Sequence, residues 1–196
     1  IRRIYETESQ IRLFLTGSIS KMFSGEIATS LRGRTLSFKM LSLNFSEYLT
    51  FKNFPIVAPD ELYYFPKKNE LLYQLTEYLR FGGFPEVVLE SESSLKLKIL
   101  KEYFRTIFFA EIIERNQVRN IEALDAYFKI LTRQMASLYS IGKLNNSLKS
   151  IGLKTSKNTL ISYMNFFEDA FFGKSGTIYS YSIKDQFQYS KKFYLM

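Results

Sequence analysis

The sequence predicts a predominantly helical α+β protein, and three observations carry that expectation. Apolar residues recur at helical spacing through most of the chain beyond Pro66. Two stretches near the start read as strands: residues 11–17 (IRLFLTG), nearly continuously apolar and closed by Gly, and residues 34–43 (RTLSFKMLSL), which alternate. The end of the chain, residues 176–196 (GTIYSYSIKDQFQYSKKFYLM), alternates like a two-stranded ribbon.

Between the first two strands, SKMFSGEIATSL has the makings of a helix, with Ser18 or Ser20 as its polar cap. NFSEYLTF is a short helix. Residues 52–66 hold three of the four prolines and read as a loop or boundary. The apolar positions 71, 72, 75, 78 and 79 share one helical face, which starts after Pro66 and stops at Gly82-Gly83. Helical patterns follow over about residues 95–115 and 121–137.

Composition removes several kinds of chemistry. The chain of 196 residues contains no Cys and no His, so it has no thiol nucleophile, no disulfide framework and no imidazole base or ligand. No apolar run approaches the roughly 20 residues that span a bilayer, and the charged start IRRIYETESQ lacks the apolar core of a signal peptide. A cytoplasmic protein with no membrane partner is expected. Both ends break off inside what read as regular elements, so the sequence is expected to be part of a longer chain. Net charge is +8, and +5 of it falls from Ala136 onward, where eight Lys face three acidic residues. That distribution suits a face for a polyanion, and it also suits a surface that merely keeps the chain soluble.

The last third is the most legible. Ile141, Leu144, Leu148 and Ile151 make the apolar stripe of one helix, which ends at Gly152. After the turn LKT, Ser156 caps a second helix whose stripe is Leu160, Met164, Phe167 and Phe171. Two such helices around a tight Gly-containing turn are a helix-turn-helix, and the ribbon after them makes a winged helix. The side facing away from the stripe shows Lys157, Asn158, Ser162 and Asn165. If DNA is the partner, these would enter the major groove, with Lys154 and the ribbon lysines on phosphates. Asp169 at the far end of that face would repel phosphate. The same geometry also serves protein docking or a lid.

Taken in order, FLTGSISKMFSGEIATSLRGRTLSFKMLSLNFSEYL, YLRFGGFPEVVL, FRTIFFAEIIERNQVRNIEAL, YSIGKLNNSLKSIGLKTSKNTLISYMNFFEDAFF and YSYSIKDQ resemble archaeal and bacterial AAA-type P-loop ATPases with a C-terminal winged helix. The resemblance spans nearly the whole chain, and its most distinctive phrases are Gly-Gly-Phe-Pro-Glu at 82–86 and the run at 156–170. It implies three parts: residues 1–50 as the C-terminal end of an α/β nucleotide core, 51–120 as a helical connector or lid, and 121–196 as the winged helix. It further implies that Thr16 or Ser18 occupies a sensor position near the γ-phosphate, and that Arg34, with Arg32 as second choice, reaches phosphate of the same or a neighbouring subunit. An arginine so placed would stabilise the charge that spreads over the γ-oxygens during transfer. The local residues alone favour a helix cap for Ser18 and a carboxylate partner for Arg34.

The family's ATP and Mg²⁺ belong to the full-length protein, because this sequence has no G-x-x-x-x-G-K-[ST] segment to wrap phosphates. Its one Gly-Lys-Ser, at 173–175, has Glu168 where the leading Gly would stand, and it follows the helix-turn-helix rather than a strand. This chain alone is therefore expected neither to hold nucleotide tightly nor to hydrolyse it. DNA and further copies of the chain are the partners considered. A stand-alone winged-helix regulator and a protein-docking lid remain open as alternative readings. Glu111 and Glu114, at i and i+3, read as a solvated face or a partner for Arg115 rather than a metal site.

Overall fold

The computed structural model describes residue 14, residue 36 and residues 38–196, with the side chains of residues 187 and 188 left aside. The described residues are mostly helical with one small three-stranded sheet. They divide into two compact units, Met40–Phe109 and one that includes Ala110–Met196.

The first unit is built from α1 (Phe45–Phe51), α2 (Lys68–Phe81), α3 (Pro85–Leu89) and α4 (Ser93–Thr106). Asn44 opens α1 with a reciprocal box. Its side chain accepts from the Glu47 N–H at 2.9 Å, and the Glu47 carboxylate accepts from the Asn44 N–H at 2.8 Å. Tyr48, Leu49 and Val88 form the core, closed over by Leu43, Phe45, Phe54, Leu71 and Tyr78. Residues 52–66 are turns and irregular backbone, as their prolines predict.

Gly-Gly-Phe-Pro-Glu has a structural explanation here. Gly82, at φ +76°, ends α2 in a conformation that costs other residues a Cβ clash. Gly83 accepts from the Leu43 N–H at 2.8 Å, and a Cβ on it would lie 2.0 Å from the Leu43 carbonyl oxygen. Pro85 takes the first turn of α3, where its missing N–H costs nothing. Lys96 of α4 is buried, its ammonium 2.9 Å from the Glu77 carboxylate and 4.7 Å from the centre of the Phe81 ring.

The expected strand over residues 34–43 is absent from its described part, since residues 38–43 run without strand structure. Alternation suits a strand only where a neighbour supplies the ladder, and Leu43 instead spends its N–H on Gly83. The long helical pattern also divides. Beyond Thr106 the winding loosens into a π-helical segment, Ile107–Glu114, within which the boundary between the two units falls. Asn116 closes that segment by donating to the Ile112 carbonyl at 2.9 Å. Glu111 sits 3.4 Å from Arg115, the ion-pair reading of that acidic pair.

The second unit runs α5 (Ile121–Arg133), β1 (Leu138–Tyr139), α6 (Ile141–Ser150), α7 (Lys157–Asp169), β2 (Gly173–Gly176), α8 (Ile183–Gln188) and β3 (Lys191–Leu195). α5 stops four residues short of the expected end. Ala136, at φ +61°, turns the chain and donates to the Phe193 carbonyl at 2.9 Å, which delivers it into β1. The sheet order is β1-β3-β2, antiparallel throughout. Leu124, Tyr127, Leu131, Leu144, Leu148, Leu160, Phe167 and Phe193 are fully buried and form the core of this unit.

The expected ribbon over 176–196 is corrected in detail. Its first strand is Gly173–Gly176, the Gly-Lys-Ser stretch itself, and residues 183–188 are a helix. Ser182 caps α8 by accepting from the Asp185 N–H, which favours helix over the alternation. Gly173 is required because a Cβ would meet Phe193 Cζ at 2.3 Å. Gly-Lys-Ser is thus flat paired strand, and it does not fit a phosphate cradle, which needs several N–H groups converging from a loop.

Candidate nucleic-acid interface

α7 is held from both ends. Ser156 caps it, accepting from the Thr159 N–H at 3.0 Å. Before it, Gly152 at φ +85° reverses the chain, and Thr155 donates to the buried Asn145 of α6 at 2.9 Å. At the far end Glu168 accepts from the Ser175 N–H of β2 at 2.9 Å. Leu160, Tyr163, Met164 and Phe167 turn inward, with Phe167 stacked 6.0 Å from Tyr127 and tilted 5.2 Å from Phe128. Tyr163, absent from the sequence-derived stripe, donates to the Asn120 carbonyl at 3.2 Å. Phe171, placed on that stripe by spacing, lies beyond the helix at φ +56° and is only half-buried.

With that face fixed inward, the opposite one is exposed. Lys154 in the turn and Lys157, Asn158, Ser162 and Asn165 on α7 are all exposed. Asn158, Ser162 and Asn165 share one edge at i, i+4 and i+7. The Ser162 hydroxyl donates back to the Asn158 carbonyl at 3.1 Å, which leaves it an acceptor toward a ligand. Ile161, exposed between them, adds an apolar contact that sequence spacing did not single out. Lys143 and Lys149 of α6 are exposed as well, and Asp169 is half-buried. Such a surface offers cations for phosphates and amides for base edges, but no nucleophile or proton-transfer pair. Among the described residues no group of three or more carboxylates could hold a metal.

Burial pushes the hydroxyls of Tyr127, Tyr139 and Tyr163 above their ordinary value of 10.0, so all three stay protonated within this unit. The first unit has a concavity of about 450 Å³ lined by Pro55, Ile56, Tyr64, Phe65, Asp60 and Glu61. Its charges are acidic, opposite in sign to the α7 surface. Thr16, Ser18, Arg32 and Arg34 lie outside the described residues. No described helix is long and apolar enough to cross a membrane.

Residues 1–49 match the family model described as AAA domain. The chain is 42% identical over 171 residues to an uncharacterized protein of Methanocaldococcus jannaschii, covering 87% of this chain and 38% of that protein. It is 30% identical over 186 residues to an uncharacterized protein of Haemophilus influenzae, covering 94% of this chain and 43% of the other. The chain thus spans about two fifths of the length of each relative. No solved structure matches it significantly. Residues 72–196 match the model described as Domain of unknown function (DUF8612), and on that match, which covers more than half its length, the chain belongs to the DUF8612 family.

Proposed function

We propose that the second unit is a winged helix that seats α7 on duplex DNA, within a longer protein of the AAA-type ATPase class. The observation that carries the DNA reading is the exposed edge Lys157, Asn158, Ser162 and Asn165, with Lys154 beside it, on a helix whose other face is locked into the core. The helix order α5, α6, α7 with the β1-β3-β2 sheet supports the winged form. The late excess of lysine supports a polyanionic partner.

In this reading the two asparagines read base edges, Ser162 accepts from an exocyclic amine, and Lys154 and Lys157 fix the register on phosphates. The ATPase part of the proposal rests on the AAA match at residues 1–49 and on the sensor and arginine segment within it. Thr16 or Ser18 and Arg34 or Arg32 would act on nucleotide there, with ATP and Mg²⁺ held by a P-loop that residues 1–196 do not contain. These residues alone are accordingly expected to show no tight Mg-ATP binding in isothermal titration. Micromolar or tighter binding would contradict that assignment.

DNA contact is tested by fluorescence anisotropy with labelled duplexes. Asn158→Ala and Asn165→Ala should narrow the gap between preferred and scrambled sequences, by roughly fivefold or more for each lost base contact. Unaltered affinity for every duplex in both variants would remove α7 from the interface.

A further inference from the structure

We propose that the outward face of the sheet binds an unpaired nucleobase stacked on Tyr194, a single-strand contact separate from the duplex contact of α7. The proposal rests on the nucleic-acid reading of this unit for the charge of its ligand, and on the sheet geometry for everything else.

Register fixes which side chains share the face. Lys174 stands opposite Tyr194, Gly176 opposite Lys192, and Leu138 opposite Lys192 on the other side. Directly opposed residues point to the same side of a sheet, and neighbours along a strand to opposite sides. Phe193, between Lys192 and Tyr194, is fully buried, so Leu138, Lys174, Lys192 and Tyr194 face outward, and all four are exposed.

This face is concave. A cleft of about 200 Å³ opens among Leu138, Gly176, Ile178, Ser190, Lys192 and Tyr194. No side chain at Gly176 fills it, and a Cβ there would make only ordinary contact with Cε2 of Tyr194, at 3.4 Å, so the ring lies beside a bare position. The cleft therefore has an aromatic ring, apolar walls from Leu138 and Ile178, and hydroxyl and ammonium groups at its margin from Ser190 and Lys192. It contains no carboxylate.

An apolar cleft beside an aromatic ring, with Lys192 at its margin and Lys174 on the same face, suits a flat ligand carrying negative charge. A nucleotide of a single strand meets both conditions, its base on the ring and its phosphates on Lys192 and Lys174. In duplex DNA the base faces are stacked on one another and cannot enter. Ile178 leads directly into Tyr179 and Tyr181, exposed by 84% and 94% with ring centres 5.5 Å apart. These rings, edge to face with each other, offer further aromatic surface next in sequence to the cleft.

The test uses the 196-residue chain and oligothymidylate carrying 5-iodouracil, irradiated and mapped by mass spectrometry. Cross-links at Tyr194 are expected in the unaltered protein, which needs no variant to fold. In anisotropy titrations Tyr194→Ala should weaken oligothymidylate binding roughly tenfold or more, while Tyr194→Phe retains it. Neither should alter binding of blunt duplex, whereas Lys157→Gln should weaken duplex binding and spare the single strand. The two proposals thus fail separately. Cross-links confined to other residues, undiminished single-strand binding by Tyr194→Ala, or displacement of oligothymidylate by an acidic peptide as readily as by unlabelled oligonucleotide would overturn this one.

Discussion

Tyr127 carries a hydroxyl in the core of the second unit that meets no hydrogen-bond partner among the described residues. A buried polar atom without a partner has lost its water and gained nothing in return, so Tyr127→Phe should stabilise the protein by about 1 kcal/mol in urea unfolding. The pH dependence has a definite sign. Burial raises the Tyr127, Tyr139 and Tyr163 hydroxyls above 10.0, whereas in the unfolded chain they ionise near that value. Stability is therefore fully present below about pH 10 and falls as pH climbs past it, because only the unfolded state then releases protons. Tyr127→Phe should soften that alkaline decline; an unchanged alkaline midpoint would contradict the assignment. At Gly83 the constraint is space, since an added Cβ would overlap the Leu43 carbonyl. Gly83→Ala should cost about 1–3 kcal/mol, read from the same urea midpoint. The glycine pair was visible in sequence as a helix stop. Its second member's need for closeness to Leu43, 40 positions earlier, was not, because that contact is purely tertiary.

Among elements, those with strong local signals were legible. α1, α6 and α7 open on side-chain caps, α2 and α6 end at glycines, and each formed close to where its signals put it, α7 stopping before Phe171. β2 carried no such signal. Two glycines in Gly-Lys-Ser-Gly make it a poor strand former, and only its ladder with β3 decides its state. The residues 183–188 failed for the opposite reason, as a local cap at Ser182 overrode an alternating pattern. The joint between α6 and α7 depends on Asn145 accepting from Thr155. Thr155→Val would leave that buried oxygen unpaired, with an expected loss of about 1–3 kcal/mol by thermal or urea unfolding. Between α2 and α4, Glu77→Ala strands the buried Lys96 ammonium and should cost about 3 kcal/mol or more, while Glu77→Leu with Lys96→Met should come close to neutral. Equal losses in the single and double variants would mean the pair acts through packing alone.

At the scale of the whole molecule, charge and architecture point the same way. The lysine-rich last third folds into the unit whose outward helix edge is polar and cationic, and the acidic concavity lies in the other unit. The α7 residues Lys157, Asn158, Ser162 and Asn165 were legible because a helix with one apolar stripe has only one other face to show. The Tyr194 slot was not, because it exists only once β1, β2 and β3 are in register. The measurement that bears most directly on the account is duplex DNA affinity as a function of salt. Four neutralised phosphates predict a loss of roughly a hundredfold between 50 and 200 mM salt, and the joint variant Lys154→Gln, Lys157→Gln should lower the logarithmic slope by about two. Affinity independent of salt, or a slope unmoved by removing both lysines, would contradict the proposal that α7 is the DNA-binding edge of this protein.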